Sequence, residues 1–218
     1  MKNKKYILIL SLFFGLINLK LQCNKDRQQP PDYKYQFSEK ISVSPYRLNY
    51  HVGDTIMLQL DVPGKKLFDS KTNSEVYYDS VSFNIGVNVN LVFNNPYIGD
   101  GPFASFIFYP GVSAYSQTYS GTTLAFLTTG CNLSSGYQVK VGVVLLKKGV
   151  FAMGVYNSSI QNCFNGNAMN AQVQFSMDID DTHTSYYQGL PFSDIGKFQD
   201  KNVLFQLDSK MMAIINVE

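Results

Sequence analysis

Between Val81 and Leu91 every odd position is apolar and every even one is Ser, Asn or Gly. A helix would scatter those apolar side chains around its circumference, whereas an extended strand puts all of them on one face. The segment therefore predicts a long strand with one face in a core and the other wet. Gly86, in its interior, predicts a bend or bulge. The same alternation recurs at Ile56, Leu58, Leu60 and Val62, at Tyr137, Val139, Val141, Val143 and Leu145, and at Val173, Phe175, Met177 and Ile179. A supply of 15 Tyr and 16 Phe, with few Ala or Glu, favours pleated surfaces over helices. The expected fold class is all-β, a single antiparallel β-sandwich over 35–218. The only helical expectation is a short turn within Pro191 to Phe198.

The other strong signal is at the start. Lys2, Lys4 and Lys5 precede the apolar run Tyr6 to Ile17, and Asn18 and Lys20 interrupt it before it reaches the roughly 20 apolar residues of a membrane-spanning helix. This reads as a secretory signal peptide over 1–22. The sequence Leu19-Lys20-Leu21-Gln22-Cys23 resembles the lipobox of bacterial lipoproteins in the relaxed form of the Bacteroidetes, with Gln22 where Gly, Ala or Ser is usual and Lys20 where Leu is usual. The resemblance implies cleavage before Cys23, diacylation of its sulfur and acylation of its amine. The partner so implied is the membrane, reached through a lipid anchor, with the protein at the outer membrane or cell surface. Residues 23–34, polar and containing Pro30-Pro31, read as a flexible tether. Lys25-Asp26 resembles the charged surface-export signals of some Bacteroidetes lipoproteins.

Charge and cysteine count follow from that processing. Loss of Lys2, Lys4, Lys5 and Lys20 from the 18 basic residues leaves 14 against 16 acidic ones. A near-neutral chain with no basic cluster longer than Lys65-Lys66 or Lys147-Lys148 gives no electrostatic footprint for nucleic acid, which is excluded as a partner. Of three cysteines, lipidation takes Cys23, leaving Cys131 and Cys163 to pair in an oxidising compartment. There is no Cys-x-x-Cys to suggest a redox or metal role.

A register is also legible. Tyr137 to Leu146 and Val150 to Val155 flank Lys147-Lys148-Gly149, so a hairpin with a three-residue loop is expected, pairing Leu145 with Phe151, Val143 with Met153 and Val141 with Val155. Cys131 and Cys163 would then meet at its open end. The segment from Ile41 through Pro45 to Gly53-Asp54-Thr55-Ile56 resembles the first two strands of an immunoglobulin-like sandwich, with Pro45 at an edge or bulge. Val203 to Leu207 and Met211 to Val217 are expected to pair into a sheet. From Asn94 to Thr123 the alternation dissolves, and a long irregular segment is expected to bear a binding surface with Tyr97, Tyr109, Tyr115 and Tyr119.

Signatures of enzymes are sparse. The chain has no phosphate-binding glycine loop, no Gly-x-Ser-x-Gly, no His-Glu-x-x-His and only two histidines, His51 and His183. No cofactor is implied. The densest polar group, Asp178-Ile179-Asp180-Asp181-Thr182-His183, offers Asp178, Asp180 and Asp181 as oxygen ligands for a hard cation such as Ca²⁺, or else is a solvated strand end. Asp54-Thr55-Ile56 and Asp79-Ser80-Val81 resemble O-glycan acceptor sites of exported Bacteroidetes proteins. The expected function is non-enzymatic: an envelope module that binds or assembles with a protein or glycan partner. The alternatives are a carbohydrate-binding module using loop tyrosines, although Trp is missing, and a hydrolase with a site near Asp178 to His183.

Overall fold

The computed structural model describes residues 32–92, 101–119, 122–131, 136–156, 158–163, 167–190 and 201–218. The chain divides into Met1–Asp32 and Tyr33–Glu218, and every described strand and helix belongs to the second unit. The signal segment, Cys23, Tyr97 and the helical turn expected within Pro191 to Phe198 lie outside the described residues.

The described strands are β1 (Tyr35–Ser44), β2 (Asn49–Tyr50), β3 (Thr55–Pro63), β4 (Lys66–Asp69), β5 (Ser74–Tyr77), β6 (Val81–Leu91), β7 (Ala104–Phe108), β8 (Val112–Tyr119), β9 (Thr122–Thr129), β10 (Gly136–Leu145), β11 (Gly149–Tyr156), β12 (Ser158–Asn162), β13 (Ala168–Asp178) and β14 (Met212–Val217). Two helices, α1 (Thr182–Gly189) and α2 (Lys201–Asp208), lie between β13 and β14. The first sheet runs β12-β13-β1-β3-β10-β7, with the β4–β5 hairpin beside β1, and the second runs β2-β14-β11-β6-β9-β8. Their apolar faces meet as a sandwich: Ile41, Leu58 and Val141 from the first enclose one small void with Ile85, Val87 and Leu127 from the second. Fully burying a side chain such as Phe83, Phe151 or Phe175 contributes about 1.5–3 kcal/mol, so the alternating strands supply most of the drive to fold.

The sheets are joined at one corner by β6, which changes sheet along its length. Val81 to Phe83 pair with β12 in the first sheet, while Asn84 to Leu91 pair with β9 and β11 in the second. Such switching is how sandwich corners are built. The sandwich is not purely antiparallel: β1 runs parallel to β13, and β14 parallel to β2. The register passes unbroken through Gly86, so no bulge marks it.

The expected hairpin is absent. Leu145 pairs with Ala104 of β7, and Phe151 pairs with Leu91 of β6 and Ile215 of β14, so β10 and β11 belong to opposite sheets. Both strands turn their odd-numbered side chains into one core, and that shared parity is equally satisfied by neighbours within a sheet and by strands facing across it. The Cys131–Cys163 disulfide forms, with Cα atoms 5.6 Å apart, on a different scaffold. Cys131 follows β9 and Cys163 follows β12, and both strands pair with β6. The Cys163 N–H donates to the Ser80 carbonyl at 2.9 Å, so the bond staples the two flanking strands beside the start of β6.

Two further expectations change. Lys201–Asp208 is helical, not a strand: Val203, Leu204 and Leu207 stand at i, i+1 and i+4, a helical spacing that a short apolar run does not distinguish from a buried strand. Asn94 to Thr123 is not one irregular segment, since β7 and β8 lie within it. β8 is an edge strand whose Val112 and Ala114 pack against the core while 113 and 115–118 are exposed, so little alternation survives in its sequence.

Both helices pack on β14, covering part of the second sheet's outer face. Tyr187 of α1 and Leu207 of α2 join Val92, Ala152, Met212 and Ile214 in a second apolar cluster. His183 and Tyr187 are the buried pair of α1, four residues apart on one helix face. This layer buries both faces of Met212 to Ile215 in β14 and explains their unbroken apolar run.

Candidate functional site

The polar segment after β13 becomes a structural knot. The Tyr46 phenol donates to the Asp180 carboxylate and accepts the Asp180 N–H at 3.0 Å, while the Thr182 N–H donates to the same carboxylate at 2.8 Å. These bonds from Thr182 and Tyr46 hold the Asp180 carboxyl at about 2, below its ordinary value. Burial, and then the bond to Asp180, push the Tyr46 phenol up to about 12. His183 is buried with its ring 5.2 Å from that of Tyr46, and its Nδ1 meets the Ile214 carbonyl. A carbonyl only accepts, so Nδ1 carries the proton. Burial lowers the affinity of this imidazole for a second proton.

Asp178 and Asp181 go elsewhere. Asp178 is exposed at the end of β13 opposite Ser42, and Asp181 is 3.8 Å from Lys210. Among the described residues no group of three His, Cys, Asp or Glu is arranged to hold a metal ion. The Asp180–Tyr46–His183 contacts tie the start of α1 to β14 and to the connection between β1 and β2. Asp54 and Asp79 are likewise engaged, with Arg47 and Lys65 respectively.

The candidate tyrosines separate onto different faces. Tyr109, between β7 and β8, points its hydroxyl at Met57 Sδ (3.8 Å), and Lys140 Nζ lies 4.8 Å from its ring centroid, on the first sheet. Tyr115 and Tyr119 are strand residues of β8, not loop residues. Nearby on the first sheet, Glu39, Asp61, Lys66 and Glu75 line an open groove of about 500 Å³. Burial raises the Glu39 carboxyl above its usual range, the donated Phe68 N–H at 2.8 Å opposes this, and Glu75 adds to it.

The second sheet's outer face has the opposite character. The register aligns Tyr115 of β8 with Phe126 of β9, Phe126 with Gly86 of β6, and Gly86 with Tyr156 of β11, one transverse row across four strands. At about 4.8 Å per strand the row spans about 14 Å. Tyr115 stacks on Phe126 with centroids 5.1 Å apart and planes 23° from parallel. A Cβ on Gly86 would stand 2.8 Å from Tyr156 Cδ2, so the missing side chain is what lets that ring lie against the sheet. Tyr115 is 55% exposed and Tyr156 38% exposed. Amides and hydroxyls flank the rings: Thr128 donates to Asn84 Oδ1 at 2.7 Å, and the Tyr156 phenol, whose pKa burial raises, is hydrogen-bonded to the Asn90 side chain.

Sequence reasoning found only Tyr115 of this row. Phe126 carried a usable signal, because Leu124 and Phe126 are apolar at the positions alternating with buried Ala125 and Leu127. No motif marked Gly86 or Tyr156 as neighbours, since they lie on strands far apart in sequence.

No protein-family model and no curated protein matches the sequence. Among solved structures, the chain is similar to the type II cohesin dyad of the ScaA scaffoldin of Acetivibrio cellulolyticus at 9% identity and a TM-score of 0.32, covering 65% of this chain and 46% of that one. The chain thus spans less than half of that dyad. It is similar to a non-cellulosomal cohesin of the archaeon Archaeoglobus fulgidus at 10% identity and 0.31, covering 70% and 99%. It is also similar to the human F-spondin reeler domain at 10% and 0.34, covering 87% and 99%. At these scores none of the three likenesses carries an argument about ancestry or activity.

Proposed function

We propose that this protein is an exported, lipid-anchored binding module without catalytic chemistry, which presents the outer face of its second sheet to a partner. The observation that carries the reading is the row Tyr115–Phe126–Gly86–Tyr156, a rigid aromatic surface left uncovered where the helix layer stops. Exposed aromatic rings on a rigid scaffold offer large contact area at little entropic cost. His183, by contrast, is 2% exposed, so the Nε2 left unprotonated by the Nδ1–H bond to the Ile214 carbonyl is shut away from any substrate that a hydrolase near Asp178 to His183 would need to reach. The signal over 1–22, acylated Cys23 and the tether over 23–34 would hold this face away from the membrane. The pairing of β1 with β3 (Ile41 opposite Leu60) supports the immunoglobulin-like character read from that segment.

The test is photo-crosslinking in intact cells, with benzoylphenylalanine in place of exposed Ser113 beside the row, or in place of Lys140 on the opposite sheet. The expected result is an irradiation-dependent adduct from position 113 and none from 140, dependent on Cys23. Equal adducts from both positions, or none from 113, would refute the reading.

A further inference from the structure

The four strands that build the row share a compositional peculiarity. β6, β8, β9 and β11 contain not one Asp, Glu, Lys or Arg, although charged residues make up 16% of the chain. The first sheet is different: β1, β3 and β10 carry Lys40, Asp61 and Lys140 outward, and its groove is lined by carboxylates and Lys66. Among the strands, charge is therefore absent from the four that build the row, and on the second sheet's outer side it belongs to the helix layer, as at Asp181 and Lys210. On the row itself stand aromatic rings, amides and hydroxyls.

We infer that the row Tyr115–Phe126–Tyr156 binds an uncharged glycan, a chain of neutral sugar rings laid across β8, β9, β6 and β11. This deepens the binding-module reading and rests on it. A pyranose has an apolar C–H face and an equatorial rim of hydroxyls, each both donor and acceptor. The face of an aromatic ring matches the first, and Asn, Gln, Ser and Thr side chains match the second without imposing a charge. Ser113, Asn84 and Thr128 stand on one side of the row, and Gln117, Leu124, Asn88 and Asn90 on the other, so the rings are bordered mainly by neutral hydrogen-bonding groups.

The chemistry of the row favours a neutral sugar over a charged polymer. The row lacks the cations a nucleic acid or acidic polymer requires. The rings supply stacking area and Gly86 keeps the strip flat, so the absence of Trp from the chain removes only one possible form of platform.

Affinity electrophoresis of the full-length protein in mild detergent tests this, through gels containing xylan, mixed-linkage β-glucan, mannan or dextran, with heparin and polygalacturonate as charged controls. The expected result is retardation by at least one neutral polysaccharide. Tyr115→Ala and Tyr156→Ala should each weaken it by about tenfold with an unchanged melting temperature, and Tyr115→Phe should retain it. Retardation by the charged polymers alone, or retardation indifferent to both alanine variants, overturns the inference. If no polysaccharide retards the protein while the adduct from position 113 is a protein, the glycan assignment falls and the binding-face reading stands. If neither retardation nor an adduct is seen, both fall.

Discussion

Replacing Cys131 and Cys163 together by Ser removes the staple beside the start of β6 without leaving a lone thiol. The two cysteines are 32 residues apart in sequence, and for a loop of that size the chain-entropy relation gives a loss of about 12 cal/mol/K, or about 4 kcal/mol at 25 °C. For a domain of this size each kcal/mol is worth about 2–4 °C, so the melting temperature should fall by about 10 °C. The loss should also be felt locally. Phe83 donates its N–H to Thr129 Oγ1 at 2.9 Å, and Thr129 lies two residues before Cys131. In the double variant the Phe83 amide should therefore exchange faster than amides at the far end of β6, such as Val89. Thermal unfolding followed by circular dichroism measures the first effect and hydrogen exchange the second. A melting temperature within about 2 °C of the wild type would refute both the magnitude and the idea that the corner depends on the bond. Reduction of the wild type should reproduce the variant, because the effect belongs to the cross-link and not to the serines.

Three other outcomes are expected. A Cβ on Gly154 would stand 2.5 Å from Asn88 Oδ1, so Gly154→Ala should cost about 1–3 kcal/mol, and Asn88→Ala in the same chain should recover much of it; simple additivity in urea melts would show that the two sites do not touch. Because the fold lowers the proton affinity of His183, the unfolded chain binds the extra proton first as pH falls below about 6.5. Stability should therefore be full above that value and decline below it, and His183→Gln should flatten the slope between about pH 7 and 5. Tyr46→Phe removes the donor to the Asp180 carboxylate, so the carboxyl should titrate above its present value of about 2, as followed by carboxyl carbon NMR; an unchanged titration would place the cause with Thr182 alone.

How much of this is legible in the sequence divides along physical lines. Alternation identifies which residues of a strand face the core, and Val81 to Val89, Ile56 to Val62 and Val173 to Met177 all turn inward as their period requires. Alternation carries no information about which strand lies beside which. β10 and β11 show the cost: their parities agree because both feed the same core, yet they do so from opposite sheets. The two helices are hidden for a related reason. α1 buries only His183 and Tyr187, and the apolar run of α2 is too short to separate the two periods, so neither carries a stripe long enough to announce itself.

The candidate site is hidden more deeply, and its logic is the reverse of a motif. A motif concentrates chemistry along the chain, whereas a row across a sheet draws one residue from each strand, here 115, 126, 86 and 156. What the sequence does hold is a composition that differs between strands: charge in β1, β3 and β10, and none in β6, β8, β9 and β11. A strand buried on both faces explains missing charge without any ligand, and β11 is such a strand beneath the helices. β8 is not, because it forms an edge with Ser113, Tyr115 and Gln117 exposed. Edge strands ordinarily carry Lys, Pro or an inward charge to discourage other chains from pairing with them. An exposed edge with none of these has given up that protection, and occupation of the adjoining aromatic face by a neutral ligand is a physical reason for it to remain uncharged. Introducing Lys at Gln117 should accordingly leave the melting temperature unchanged while weakening retention by neutral polysaccharide, and undiminished retention would break the link between the bare edge and the bound chain.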